Sequence, residues 1–132
     1  MNRVFVDTSA WFSFINKDDP QHERVTQYLK DFTGVLITSN FIFDEIVTLV
    51  LIRSDHKKAV KIGSVLKDPT IVRLITLSLE DEELAWDYFK QADDKTFSFT
   101  DCTSFILMKR LHITTALSLD SHFDQAGFSR VP

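Results

Sequence analysis

The sequence predicts an α/β protein of three layers (α/β/α), with a mostly parallel central sheet covered by helices on both faces. Short apolar runs rich in β-branched residues alternate with longer segments of helical periodicity, and this alternation is typical of parallel sheets whose strands are connected by helices. No repeat, low-complexity stretch or Gly/Ser/Pro linker interrupts the 132 residues, which contain only three Gly and three Pro. We therefore expect one domain over residues 1–132.

The predicted strands are short apolar runs that stop at turn or capping residues. Four such runs are expected to be buried: residues 3–6, 35–38, 71–77 and 113–119. The tail after Gly127 allows a further strand at the edge of the sheet. In open sheets of this kind, ligands bind outside the carboxyl ends of the strands, so the residues at those ends are the first candidates for a site.

The predicted helices begin at residues that are common helix caps. Thr8 or Ser9 is expected to cap the first, Asn40 the third and Thr100 the last long one, whereas Ser78 has an acid three residues later, as in a capping box. Helices are predicted over residues 10–15, 41–53, 57–66 and 101–111. Two more are predicted to begin near residues 20 and 79, and a short one to end at Gly127.

Composition excludes several classes of protein. No apolar run approaches the roughly 18 residues of a membrane span, and residues 1–9 are not expected to form a secretory signal. The single cysteine, Cys102, cannot form an internal disulfide and fits a reducing cytoplasm. The net charge of −4 neither supports nor excludes a polyanionic substrate, because it becomes −4 + 4 = 0 if four acids bind a metal ion.

Four acids lie where apolar segments end or pass: Asp7, Glu45, Asp101 and Asp120. Asp7 and Asp120 follow predicted strands, and Asp101 lies in the first turn of a helix. On its helix, Glu45 has mainly apolar neighbours three and four residues away, so it is expected to point to the core wall, unlike Asp44. An unpaired buried carboxylate is costly, and several that converge are expected to bind a hard divalent cation, Mg²⁺ or Mn²⁺.

Each acid also has a structural explanation. Asp7 could cap the next helix, Glu45 could pair with a distant cation, and Asp101 gains about 0.3–1 kcal/mol from the helix dipole. Asp120 could be a turn residue, and Asp124 is a lesser candidate for the fourth acid. A zinc site is disfavoured, because the sequence has neither CxxC nor HExxH, and no glycine-rich phosphate loop is present.

The order of these acids resembles the PIN domain, in particular its VapC-like toxin ribonucleases. The resemblance rests on VFVDTSA at residues 4–10, FDEIVTL at 43–49, FTDC at 99–102, and LSLDSHF at 117–123 with GF at 127–128. It covers nearly the whole chain. The last segment departs from the family's commoner T-x-D-x-D-F, and Asp124 is the other candidate for the fourth acid.

The resemblance implies a Mg²⁺- or Mn²⁺-dependent endoribonuclease that hydrolyses RNA phosphodiester bonds, the toxin of a type II toxin–antitoxin pair. It assigns catalysis and metal binding to Asp7, Glu45, Asp101 and Asp120. Thr8, Ser9 and Thr100 are expected to orient these acids or a water through hydrogen bonds. The alternatives are a solitary PIN nuclease of RNA processing and a PIN-like module that binds RNA or protein without catalysis.

Two other α/β classes fit less well. A haloacid-dehalogenase-like phosphatase needs an acid two residues after the first Asp, where Ser9 stands, and a receiver domain needs paired acids before its phospho-acceptor. The helix at 41–53 is apolar nearly all the way round, and a chain this short cannot easily enclose it. We therefore expect a homodimer, an antitoxin complex, or both.

Overall fold

The computed structural model describes all 132 residues and contains one five-stranded sheet in which every strand is parallel to its neighbours. The strands are β1 (Arg3–Val6), β2 (Val35–Ser39), β3 (Arg73–Ile75), β4 (Thr115–Leu117) and β5 (Ser129–Val131). Their order across the sheet is β3-β2-β1-β4-β5. The predicted three-layer α/β/α class is confirmed, as is the edge strand in the tail.

Seven helices connect and follow the strands. They are α1 (Thr8–Ile15), α2 (His22–Asp31), α3 (Asn40–Arg53), α4 (His56–Leu66), α5 (Leu79–Gln91), α6 (Phe99–Arg110) and α7 (His122–Gln125). β1 is the central strand and pairs with β2 and β4, so the chain reverses its direction of winding beside β1. Such a reversal opens a crevice at the carboxyl ends of the strands, and Asp7 follows the end of β1.

Two strands are shorter than the apolar runs predicted, because flanking backbone groups bond elsewhere. The amide of Leu77 donates to Oδ1 of Asn40 at 3.0 Å, and that of Ile113 donates to the carbonyl oxygen of Met108 at 2.8 Å. The first contact also explains why Asn40 does not cap α3 as predicted. Ser39 is the cap, and its hydroxyl accepts from the amide of Ile42 at 3.1 Å.

Another cap was predicted wrongly and one was predicted correctly. The residue at the cap position of α1 is Asp7, rather than Thr8 or Ser9, and its side chain makes no capping hydrogen bond. The capping box of α5 is present: Ser78 and Asp81 exchange hydrogen bonds at 3.1 Å in both directions. These residues determine where the connecting helices begin, and therefore where the first turn of each helix lies relative to the carboxyl ends of the strands.

The core contains 25 buried apolar residues that cover both faces of the sheet, including Trp11, Phe5, Phe105 and Phe123. Cys102 belongs to this cluster and is fully buried, and burial raises the pKa of its thiol to about 11. The thiol is thus a core group with little nucleophilic character. No helix combines the length and apolarity needed to cross a membrane.

The core does not enclose α3 completely. Leu51 is 49% exposed and Ile52 75%. A groove of about 610 Å³ runs between α3 and α4, lined by Phe43, Val47, Leu51, Val60 and Gly63 among others. We call this the α3–α4 groove. The expectation that the chain does not easily enclose the helix at 41–53 is therefore met.

Candidate active site

Asp7 lies at the carboxyl end of β1 and is almost wholly buried, with 5% of its surface exposed. Its backbone amide donates to the carbonyl oxygen of Leu117 on β4 at 3.0 Å. Its carboxylate oxygen Oδ2 accepts from Ser118 at 2.9 Å and from Ser9 at 3.1 Å. The carboxylate is therefore held against the end of β4, and it does not serve the helix that follows it.

Asp101 reaches the same edge from the first turn of α6. It stands three residues after the cap residue Ser98, and the two form a capping box with distances of 3.0 Å in each direction. The prediction that Thr100 caps this helix is wrong, because Ser98 has the acid at the spacing that a capping box requires. Asp101 is 8% exposed, and its second oxygen, Oδ1, receives no hydrogen bond.

His122 brings Asp101 and Asp120 together. Its Nδ1 lies 2.8 Å from Oδ2 of Asp101 and 3.3 Å from Oδ2 of Asp120. Oδ1 of Asp120 accepts from the backbone amide of His122 at 2.9 Å. One oxygen of each acid and one ring nitrogen lie within 4.8 Å of one another. We call these three residues the acid–histidine cluster.

Ser118 joins Asp7 to this cluster. Its hydroxyl donates to Asp7 and accepts from the backbone amide of Asp120 at 3.0 Å, and Ser9 accepts from the amide of Leu119 at 2.9 Å. The sequence analysis singled out neither Ser118 nor His122. Ser118 ends an apolar strand two residues before an acid, which is a usable signal. His122 has no second histidine at a spacing that would have marked it.

Glu45 stands apart from the acid–histidine cluster but is connected to Asp7 through the next residue. Oε1 of Glu45 accepts from the hydroxyl of the buried Thr8 at 2.5 Å. Glu45 is half-buried on α3, whereas its neighbour Asp44 is exposed, as the helical spacing predicted. Thr8 contacts Glu45 and Ser9 contacts Asp7, and the orienting role expected of each stays a prediction.

Two further candidates have other partners. Asp124 pairs with Arg130 at 2.9 Å, and its side chain is 48% exposed. The carbonyl oxygen of Thr100 accepts from Thr103 and Ser104, but its hydroxyl makes no hydrogen bond to any of the four acids. Asp124 therefore lies outside the acid–histidine cluster, and Thr100 acts within its own helix.

The electrostatics of the site favour a cation. Burial raises the pKa of Asp7 to about 6, and the charge of Asp101 adds to the effect, while the hydroxyls of Ser118 and Ser9 oppose it. No lysine or arginine forms an ion pair with Asp7, Glu45, Asp101 or Asp120. Asp7, Glu45 and Asp101 each use one carboxylate oxygen for side-chain hydrogen bonds, which leaves the other available. This donor set fits a hard divalent ion.

The PIN domain model matches residues 4–129, and the chain belongs to the PIN domain family. Among its relatives is the 23S rRNA-specific endonuclease VapC20 of Mycobacterium tuberculosis, from strains CDC 1551 / Oshkosh and ATCC 25618 / H37Rv. Each is 34% identical over 128 residues, which are 97% of either chain. The resemblance to VapC-like members is thereby confirmed.

Solved structures agree with this assignment. The crystal structure of M. tuberculosis VapC20, described as a toxin that cleaves the sarcin–ricin loop, superimposes with a TM-score of 0.92 at 33% identity and covers 97% of this chain and 98% of its own. FitAcB from Neisseria gonorrhoeae and VapBC2 from Rickettsia felis, the latter bound to a promoter DNA fragment, give TM-scores of 0.73 and 0.69 at 15% and 11% identity. Each covers at least 96% of both chains compared, and these two support the fold alone.

Proposed function

We propose that this protein is an endoribonuclease that depends on Mg²⁺ or Mn²⁺ and is the toxin of a type II toxin–antitoxin pair. The observation that carries the proposal is the network that joins buried Asp7 to Asp101 and Asp120 at the carboxyl edge of the sheet. The 34% identity to an RNA endonuclease over 97% of both chains supports the same reaction. We further propose that residues 1–132 act as one domain in the cytoplasm.

We propose Asp7, Glu45, Asp101 and Asp120 as the residues that hold the ion and carry catalysis. When bound, a divalent ion lowers the pKa of a coordinated water and neutralises charge on the phosphate. The protein's own part is to fix the carboxylates. Ser9 and Ser118 hold Asp7, a backbone amide holds Asp101, and a threonine hydroxyl holds Glu45. Because the carboxylates are already held in place, they do not have to reorient during the chemical step.

The substrate that we propose is structured ribosomal RNA of the sarcin–ricin type. The relative that matches 97% of this chain is named for cleavage of 23S rRNA, and its crystal structure is described as that of a toxin cleaving the sarcin–ricin loop. A net charge of −4 does not attract RNA over long distances. We therefore expect that a bound cation must neutralise the four carboxylates before an RNA phosphate can approach the carboxyl edge of the sheet.

We propose the α3–α4 groove as the surface that a cognate antitoxin or a second copy of the chain covers. The groove is apolar, and Leu51, Ile52 and Val60 beside it are 49%, 75% and 53% exposed. Exposed apolar patches of this kind mark protein interfaces. An antitoxin is expected to inhibit by placing an Arg or Lys among the four carboxylates, since such a pair is a strong charge-assisted hydrogen bond.

Cleavage of a sarcin–ricin-loop RNA tests the catalytic part of this proposal. The wild-type protein should cut it with Mg²⁺ or Mn²⁺ and stop with EDTA, and Asp101→Asn should lose cleavage while it keeps the wild-type circular dichroism spectrum. The matched controls are Asp44→Asn, one residue from Glu45 but exposed, and Asp124→Asn, whose acid pairs with Arg130. Both should cleave at wild-type rates.

Two results would contradict the proposal. Cleavage by Asp101→Asn at the wild-type rate, after contaminating nuclease is removed, would disprove the role of the acids. RNA binding without cleavage under any divalent ion would favour the binding-only module. The toxin assignment predicts a small antitoxin gene beside the gene for this protein, and co-expression of the two should yield a complex without nuclease activity. Absence of such a gene would favour a solitary nuclease.

A further inference from the structure

His122 contributes the only nitrogen of the acid–histidine cluster. Its Nδ1 points between two carboxylates, 2.8 Å from Oδ2 of Asp101 and 3.3 Å from Oδ2 of Asp120. Neighbouring ligand atoms around an octahedral ion with bonds of about 2.1 Å are separated by about 3.0 Å. The separations of Nδ1 from the two oxygens lie on either side of that value, and all three atoms lie within 4.8 Å of one another, so Nδ1 already has the spacing of a ligand beside each oxygen.

The imidazole ring is held in this orientation by contacts on its other sides. Nε2 lies 3.1 Å from the hydroxyl of Thr96, and the ring makes an edge-to-face contact with Phe97 at 5.4 Å and 78°. Histidines that bind metals usually donate their other ring N–H to an oxygen, which fixes the tautomer. Thr96 offers such an oxygen, and with the proton on Nε2 the lone pair of Nδ1 would be free to bind an ion.

From this geometry we infer that His122 is a nitrogen ligand of the catalytic metal ion, together with Asp101 and Asp120. The inference rests on the metal-dependent activity proposed above and adds to it the chemical identity of the ion. Mg²⁺ is a hard cation that takes oxygen ligands, whereas transition-metal ions also accept imidazole. His122 therefore makes the site selective for Mn²⁺ over Mg²⁺.

Pulsed electron paramagnetic resonance of the Mn²⁺-loaded full-length protein tests this inference without reference to activity. The wild-type spectrum should show coupling between Mn²⁺ and an imidazole nitrogen, identified by histidine-specific isotope labelling. The coupling should be lost in His122→Asn and retained in His56→Asn, which alters an exposed histidine at the start of α4. In direct titrations, His122→Asn should bind Mn²⁺ at least about tenfold more weakly, because the loss of residues that only support metal ligands already costs about that much.

A second variant keeps the test decisive if asparagine disturbs the loop. His122→Asp replaces nitrogen by oxygen in the same place, so it should bind both ions and show a smaller ratio of Mn²⁺ to Mg²⁺ affinity than wild type. Stoichiometric Mn²⁺ binding without imidazole coupling would overturn the role of His122 and leave the metal-dependent nuclease standing. Failure of the wild type to bind Mn²⁺ at all would overturn both.

Discussion

Replacement of Asp7 by asparagine should stabilise the metal-free protein at neutral pH, although it should abolish cleavage. Asp7 is almost wholly buried and has no lysine or arginine partner, so its ionisation in the folded state is unfavourable without a bound cation. Burial and the charge of Asp101 raise its pKa from 3.8 to about 6. An asparagine is nearly isosteric and remains neutral, so it retains the fold and removes this electrostatic penalty.

The size and pH range of the effect follow from the two pKa values. Below about pH 4, Asp7 is protonated in both the folded and the unfolded state, and its ionisation does not affect stability. As the pH rises from about 4 to about 6, the unfolded state loses the proton first, so the free energy of unfolding falls. Above about pH 6, Asp7 is ionised in both states, and the free energy of unfolding stays lower by a constant amount. At 1.36 kcal/mol for each pH unit, the interval from 3.8 to about 6 corresponds to about 3 kcal/mol.

Urea unfolding in EDTA, followed by circular dichroism between about pH 4 and pH 7, measures this difference. Apart from Asp101, whose charge acts on Asp7, the other groups are common to both proteins, so the free energy of unfolding of Asp7→Asn minus that of wild type should rise by about 2–3 kcal/mol across the range and then level off. A difference that stays constant, or a variant that is less stable than wild type at pH 7, would refute the reasoning about Asp7.

Three further predictions concern contacts outside the catalytic edge. Arg110→Met should lower the free energy of unfolding by about 2 kcal/mol in urea titrations, because the buried carboxylate of Asp81 loses a two-pronged ion pair at 2.8–2.9 Å; an unchanged midpoint would contradict it. Gly34→Ala should cost about 2–4 kcal/mol, since φ is +150° and an added Cβ would collide with the carbonyl oxygen of Asn2; differential scanning calorimetry measures the loss. Leu51→Glu should change stability by less than about 0.5 kcal/mol but weaken self-association or antitoxin binding at least tenfold, measured by sedimentation; wild-type association would exclude the α3–α4 groove.

The sequence predicted the fold well because its apolar runs are strongly periodic and well separated. Helix starts were harder, since several residues that can cap stand next to each other. Thr100 and Ser98 both have the chemistry of a cap, and only the spacing from Ser98 to Asp101 decides between them. At Asn40 a tertiary contact decides the outcome, because the side chain accepts from the amide of Leu77 in the segment that follows β3, which local sequence cannot reveal.

The candidate acids were predictable for a similar reason. Asp7 ends an apolar run, and Glu45 has apolar residues on its own side of the helix, so each stands out locally. The contributions of Ser118 and His122 depend on how the end of β4 meets the first turn of α6, a contact between elements that the sequence does not specify. A polar residue between an apolar strand and an acid is the type of signal that should be given more weight in other chains.

Anomalous scattering from crystals of the active protein soaked in Mn²⁺ tests the central claim most directly. The claim is that the carboxylates of Asp7, Asp101 and Asp120 form the metal site of a nuclease. An anomalous peak should lie within about 2.0–2.6 Å of carboxylate oxygens from Asp101 and from at least one of Asp7 and Asp120, and it should disappear in Asp101→Asn. Full cleavage activity with no peak at these carboxylates, or with the ion bound elsewhere on the chain, would contradict the account.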